Sequence, residues 1–224
     1  MSINVAIDGP AGAGKSTIAK KLAKELDYIY VDTGAMYRAM ALYMIEQKTD
    51  IQHMDAVRSA CDAITIDIRY SDGEQQVILN GRNVNDFIRT EAVSEMSSKI
   101  SAIPEVRAKL LSLQRSLAAA SNVIMDGRDI GTVVLPDAEV KIYLDAGVEE
   151  RARRRVGELQ EKGETADFEE IKKMILERDY NDMHRAHSPL KRAADAVSLD
   201  STGMGIDAVL QAILDIVAER VKEK

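Results

Sequence analysis

Tryptophan is absent from the 224 residues, and aromatic residues make up only 4% of them. An extended aromatic platform for stacking single-stranded nucleic acid is therefore not expected. A basic field is missing too. The formal net charge of −7 argues against a general nucleic-acid binder, and no nucleic-acid partner is expected. The single cysteine, Cys61, cannot form an internal disulfide, which suits a reducing compartment. No apolar run approaches the length of a membrane span. The first residues lead straight into a short β-branched run, without the charged start and apolar core of a signal peptide. A cytoplasmic protein that does not engage a membrane is expected. What is present suffices for a sizeable core: 46% of the residues are hydrophobic and 30% charged. The length suits one large domain, or one domain with an insertion.

Residues 9–17 read Gly9-Pro10-Ala11-Gly12-Ala13-Gly14-Lys15-Ser16-Thr17. Gly9, Gly14, Lys15 and Ser16 complete the phosphate-binding pattern Gly-x-x-x-x-Gly-Lys-[Ser/Thr]. Ile3–Ile7 suits a buried strand before it, and Ile18, Leu22, Ala23 and Leu26 fall at helical spacing after it. Glycines let backbone N–H groups turn inward around phosphate oxygens, and the opening helix points its positive end at them. Lys15 supplies a charge for the β- and γ-phosphates, and Ser16 a hydroxyl for Mg²⁺.

Apolar runs recur at Ile3–Asp8, Tyr28–Asp32, Asn122–Asp126, Val140–Asp145 and Ala196–Asp200, each ending in Asp. Helical patterns fill most gaps: Lys15–Leu26, Ala35–Lys48, Val106–Ala120, Val148–Lys162, Phe168–Arg185 and Ile206–Lys222. Such alternation predicts an α/β fold: a five-stranded parallel sheet in three layers, with ligands beyond the carboxyl ends of the strands. That rule gathers Asp8, Asp32, Asp126 and Asp145 at one edge. Asp145 reads as a turn or cap residue; the other three are left open between that role and a functional one. Residues 64–84 break the pattern. Ile64, Ile66 and Ile68 alternate with polar residues, and Asp72-Gly73 and Asn80-Gly81 are hairpin signals. Three short antiparallel strands are predicted there, then a polar helix over Glu91–Ile103 that stops before Pro104.

The arginines narrow the chemistry. Arg38 lies about one helical turn beyond the second strand, and Arg128 follows the third. Arg178, Asp182 and Arg185 share one face of their predicted helix, and Arg151, Arg154 and Arg155 one face of the preceding helix. Each could be an ordinary solvated pair, Arg178 with Asp182, and Arg151–Arg155 with Glu149, Glu150 and Glu158. Beside a phosphate loop, arginine forks are also what neutralises a transferring phosphoryl group.

The chain resembles the nucleoside monophosphate kinases and, among them, the bacterial cytidylate kinases. The motifs are 7–17 with the phosphate loop, Asp32-Thr33-Gly34-Ala35-Met36-Tyr37-Arg38, Asp126-Gly127-Arg128-Asp129-Ile130-Gly131-Thr132-Val133-Val134, and 141–146. Residues 149–155, Glu177-Arg178-Asp179, Ser188-Pro189-Leu190 and 199–202 follow in family order over nearly the whole chain. The insertion and the Asp-Gly-Arg-Asp-x-Gly segment carry the specificity. The resemblance implies a single phosphate-loop domain over 1–224, with an acceptor-binding insertion at about 62–103 and a short helical lid at about 148–168. It implies ATP-dependent phosphorylation of CMP or dCMP with Mg²⁺ at Ser16. ATP would meet residues 9–17 and the lid arginines Arg151, Arg154 and Arg155. Thr33, Arg38, Arg128 and Arg185 would hold the acceptor phosphate; Ser98, Arg107 and Asp129 would read cytosine; Arg178 and Asp182 would contact the ribose. Lys15, Arg128 and Arg185 would be the catalytic cations, and a monomer is expected. A kinase of the same architecture with another small acceptor, such as a different nucleotide or a sugar acid, is one rival. A nucleotide switch is the other, although the Asn-Lys pair of a guanine-specific switch is absent.

Overall fold

The computed structural model describes residues 2–71, 74–161 and 163–222. In chain order the elements are β1 (Asn4–Asp8), α1 (Lys15–Leu26), β2 (Ile29–Asp32), α2 (Thr33–Glu46), α3 (Met54–Ala63), β3 (Ile66–Ser71), β4 (Glu74–Leu79) and β5 (Arg82–Asn83). They continue with α4 (Glu91–Ile100), α5 (Pro104–Ala120), β6 (Val123–Gly127), a π-helical turn (Ile130–Val134), β7 (Val140–Asp145), α6 (Val148–Glu161), α7 (Phe168–His184), β8 (Val197–Asp200) and α8 (Ile206–Lys222). All five apolar runs that end in Asp become the strands of one parallel sheet, in the order β2-β6-β1-β7-β8. A separate antiparallel sheet runs β3-β4-β5.

Residue contacts divide the chain into two compact units. The first comprises Met1–Tyr30 and Ser121–Lys224. Its core is built where strand and helix periodicities meet: Val5, Ile7, Ile124, Ile142 and Leu144 from the strands against Ile18, Leu22, Val209, Ile213 and Val217 from α1 and α8. Each of these buried side chains contributes roughly 1.5–3 kcal/mol relative to exposure. β1 lies between β6 and β7, with Asp8 opposite both Gly127 and Tyr143. That register sets the start of the phosphate loop beside the segment that carries Arg128 and Asp129.

The second unit is Val31–Ala120 and contains the whole of the region 62–103. β3 and β4 pair from Ile66 opposite Leu79 to Ser71 opposite Glu74. The Asn80-Gly81 turn then joins β4 to β5 with positive φ at both residues, 47° and 84°, the requirement of the tight hairpin that Asn-Gly signals. The other hairpin signal, Asp72-Gly73, lies outside the described residues, as does Lys162 at the end of its predicted helix. α3 was not anticipated, although Val57, Ala60 and Cys61, all buried, mark its inner face. The helix predicted over Glu91–Ile103 ends at Ile100, and α5 begins on Pro104 itself, where the missing N–H costs nothing. Among the described residues, no helix is long and apolar enough to cross a membrane.

Candidate active site

The phosphate loop links β1 to α1. A Cβ on Gly9 would lie 1.9 Å from the carbonyl oxygen of Leu144, so only glycine allows the loop to leave the sheet this close to β7. Lys15 is buried, and its ammonium donates to the Pro10 carbonyl at 2.6 Å, bridging the loop. Burial, with the neighbouring Arg128 cation, pushes its pKa well down, while Asp126 opposes the shift. Arg178 also lowers it. Three cations thus crowd one position, an arrangement that a polyanion such as a nucleotide phosphate relieves.

Four aspartates at the strand ends have different partners. Ser16 Oγ donates to Asp126 Oδ2 at 2.7 Å, and Tyr30 donates its hydroxyl to Asp126 Oδ1 at 3.0 Å. A phosphate-loop hydroxyl beside a carboxylate is an all-oxygen donor pair, the set that suits Mg²⁺. Among the described residues there is no cluster of three or more His, Cys, Asp or Glu for a metal; Mg²⁺ needs only one or two such groups besides phosphate and water. Asp8 accepts from the backbone N–H groups of Ile130 and Gly131, both at 2.8 Å. It clamps the π-helical turn that follows Arg128 and Asp129. Asp145 accepts from Ala146 N–H through its side chain, the turn role read for it from sequence. Asp32 caps α2 through Ala35 N–H and holds Arg38 at 3.0 Å.

The arginines around Asp182 are tethered rather than solvated. Arg128 Nε donates to Asp182 at 2.8 Å and Nη1 to the Gly127 carbonyl at 3.2 Å. Burial opposes both charges, but the pairing outweighs it: the Arg128 pKa is raised and the Asp182 pKa lowered. The surface pair considered for Arg178 and Asp182 is therefore replaced by a buried network; Asp182 is 6% exposed, and both Arg178 and Arg185 lie close enough to lower its pKa. Arg185 approaches Asp129 at 3.5 Å and Asp182 at 3.9 Å. Asp129 thus faces Arg185, whereas Arg128, its neighbour in sequence, takes Asp182.

The lid arginines separate. Arg155 pairs with Glu158 at the surface, the ordinary pairing the sequence allowed. Arg154 bonds Glu150, the Ser201 hydroxyl and the Ser201 carbonyl, and its Nη1 lies 3.7 Å from where a Gly14 Cβ would be. Arg151 is buried against Asp179.

In the second unit Thr33 is buried as the first residue of α2, and Arg38 bonds Asp32 across Gly34. Arg107 donates to the Ser101 carbonyl at 3.1 Å and lies over the Tyr37 ring at 5.7 Å. Ser98, on α4, accepts from Ser101 Oγ at its carbonyl. Two residues that sequence reasoning missed sit beside Asp32. The buried amide of Gln75 accepts from the Asp32 N–H at 2.8 Å and donates to the Asp32 carbonyl at 3.3 Å. Arg89 approaches the Asp32 carboxylate at 3.7 Å. Gln75 belongs to a strand partner chosen by tertiary register, so no local pattern marks it.

A glycine-rich phosphate loop between the central strand of a parallel sheet and its helix, with buried cations massed at its end, defines a P-loop phosphate-binding protein. The cytidylate kinase family model matches residues 5–219, and the chain belongs to that family. The cytidylate kinase of Lactobacillus gasseri is 50% identical over 220 residues, covering 98% of this chain and 96% of that protein. That of Carboxydothermus hydrogenoformans is 47% identical over 218 residues, covering 97% of this chain and 98% of that protein. Among solved structures, an uncharacterized protein from Eubacterium ventriosum is similar in fold, with a TM-score of 0.55 at 12% identity over 98% of this chain and 99% of that one.

Burial lifts the Asp8 carboxyl from its ordinary 3.8 to about 6, against the two backbone N–H bonds that favour its charge. A carboxyl whose pKa rises on folding favours the folded state while protonated. Its contribution is whole below the unfolded value of 3.8 and is lost as pH climbs through about 6. The stability of wild type minus that of Asp8→Asn, which does not titrate, is expected to fall by about 3 kcal/mol between acid and neutral pH. Denaturant unfolding across that range measures it; a flat difference would mean that Asp8 titrates normally.

Proposed function

We propose that this chain transfers the γ-phosphoryl group of ATP to CMP or dCMP, giving ADP and CDP or dCDP. Family membership fixes the reaction. The observation that supports its placement is the cation cluster of Lys15, Arg128 and Arg178 at the end of β1, beside Ser16 and Asp126. Residues 9–17 take the ATP phosphates, with the N–H groups of the loop and the start of α1 facing them. Mg²⁺ carried with ATP would be held by Ser16 and Asp126 and would neutralise charge on the β- and γ-phosphoryl oxygens. The acceptor nucleotide is assigned Thr33, Arg38, Ser98 and Arg107, together with Arg128, Asp129, Arg178, Asp182 and Arg185. Within this reading the chain is one phosphate-loop domain carrying an acceptor insertion at about 62–103 and a lid at about 148–168, and Arg151, Arg154 and Arg155 are its donor-side arginines.

The chemistry asks for positioning and charge rather than for a covalent intermediate. A phosphate oxygen of the acceptor is already anionic at neutral pH, so no general base is required. Lys15 follows charge on the moving phosphoryl group from its seat across the loop. Arg128 and Arg185 enter already oriented by Asp182 and Asp129, so little reorganisation opposes their action in the transition state.

The test is ADP release with CMP, dCMP, UMP and a sugar acid as acceptors; turnover confined to the sugar acid would overturn the reading. Lys15→Met keeps the length and removes the charge. It is expected to lower turnover by ~10²-fold or more with the fold retained, and near-normal turnover would remove the loop from the donor site.

Base choice gives a second test. Cytosine donates from N4 and accepts at N3, and uracil reverses both. Asp129 can only accept when ionised, and leaving it unpaired against uracil is costly. Asp129→Asn is therefore expected to lower the CMP-over-UMP ratio of kcat/KM by ~10-fold or more, about 1.4 kcal/mol. Equal losses for CMP and UMP would make Asp129 a partner of Arg185 and nothing more.

A further inference from the structure

Arg151 holds three acceptors, and one of them belongs to the phosphate loop itself. Its Nε donates to the Ala146 carbonyl at 2.8 Å, and its Nη1 to the Ala11 carbonyl at 2.9 Å. Nη1 also meets Asp179 Oδ2 at 2.6 Å. The two charged side chains are 7% and 10% exposed. Asp179 Oδ1 has no hydrogen-bond partner among the described residues, so Arg151 carries the pairing of this buried carboxylate. The loop meets the same residue a second time. A Cβ on Gly12 would lie 3.3 Å from the Arg151 Cβ and 3.5 Å from its carbonyl oxygen. The first turn of α6 therefore rests directly on Gly12, and a side chain there would push it away.

A trans peptide is planar, so its C=O and the following N–H point in opposite directions. No cis peptide is present among the described residues. When Arg151 draws the Ala11 carbonyl to itself, the Gly12 N–H is turned the other way, into the loop. A pair that merely packed α6 against α7 would need no bond to that carbonyl. Asp179 holds the same Nη1 that bonds the loop, and it stands next to Arg178 and one turn before Asp182 on α7. Its charge also reaches Arg128, whose pKa it helps to raise.

We infer that Arg151 is a positioning residue, which aims the Gly12 N–H at the donor phosphates and, through Asp179, sets the phosphate loop and the arginine-bearing helix α7 in one geometry. This replaces the lid role that the family resemblance gave its side chain. It also anchors the first turn of α6, so that any lid closure starts beyond Arg151. The inference rests on the donor reading of residues 9–17.

Arg151→Lys keeps the charge but cannot span two carbonyls and a carboxylate in one plane. Asp179→Asn keeps the shape and removes the charge. Each is expected to lower kcat/KM for ATP and for CMP by ~10-fold or more, because loop and helix shift together. The double variant should match the worse single variant within about 2-fold, as members of one unit do. In the nucleotide-free protein, both substitutions should move the Gly12 amide resonance. A rise in KM for ATP alone in Arg151→Lys, with Asp179→Asn normal, would make Arg151 an ATP ligand and overturn the inference. Lower melting temperatures with unchanged kcat and KM at a permissive temperature would make the pair simple packing. Additive losses would separate the two residues. If the wild-type protein failed to phosphorylate CMP, the functional reading would fall, and the Gly12 amide would still decide the strut: moved in both variants, it stands; unmoved, it fails.

Discussion

Buried positive charge has to be matched, and most of this site follows from how that is done. An ionised side chain removed from water costs several kcal/mol unless it is paired and hydrogen-bonded. The phosphate site needs several such cations. In the first unit several arginines are given a carboxylate, Arg128 with Asp182, Arg151 with Asp179 and Arg185 with Asp129; within the second unit Arg38 has Asp32. Lys15 is different. Its partner is a carbonyl, and the nearby charges pull its pKa both ways, Arg128 down and Asp126 up. The arginines are therefore held in place before any nucleotide binds, while the lysine is the cation for which phosphate makes the largest electrostatic difference.

The strand-terminal aspartates were visible in the sequence as positions and invisible as partners. Four strands of the parallel sheet end in Asp and β6 carries Asp126 just before its last residue, and the alternation of strand and helix predicts that these ends share an edge. The uses to which Asp8, Asp126 and Asp145 are put differ only through tertiary register. Ser16 and Asp126 are 110 residues apart, and Asp8 and Gly131 are 123 apart. No local pattern distinguishes such a clamp from a turn residue. The same holds for the arginine run 151–155. Arg155 lies at the surface as charge patterning suggests, while Arg151, four residues earlier, is buried because the helix packs on Gly12. Helical phase alone puts both near one face; it cannot say which end of that face meets the loop.

The parts that read most clearly were those fixed by short-range rules. The loop pattern placed α1 to the residue, and Asn80-Gly81 placed the turn between β4 and β5. α3 is ten residues long with three buried small or β-branched side chains, a weak period that tertiary packing completes. The π-helical turn at Ile130–Val134 has no propensity signature at all. It exists because Asp8 takes the N–H groups of Ile130 and Gly131, while the Asp129 carbonyl accepts from Val133 at 2.9 Å and Val134 at 3.2 Å.

That turn also explains why a strand-terminal carboxylate is kept buried at a cost to its ionisation. Asp8 lies beside Lys15 in the charge network and across the sheet from Gly127 in the register. Its two backbone bonds fix the direction in which the chain leaves Arg128 and Asp129. An amide in its place could accept from only one of those N–H groups and would present its own N–H to the other. The carboxylate is thus the side chain that satisfies both donors. Its raised pKa is the consequence of burying that acceptor-only group, which the two backbone bonds only partly offset. On this account, the donor loop and the Arg128–Asp129 segment share one anchor at the end of β1, just as the loop and α7 share another in Arg151. A phosphoryl group transferred in line requires that kind of common frame, because displacement of either side by an ångström costs orders of magnitude in rate.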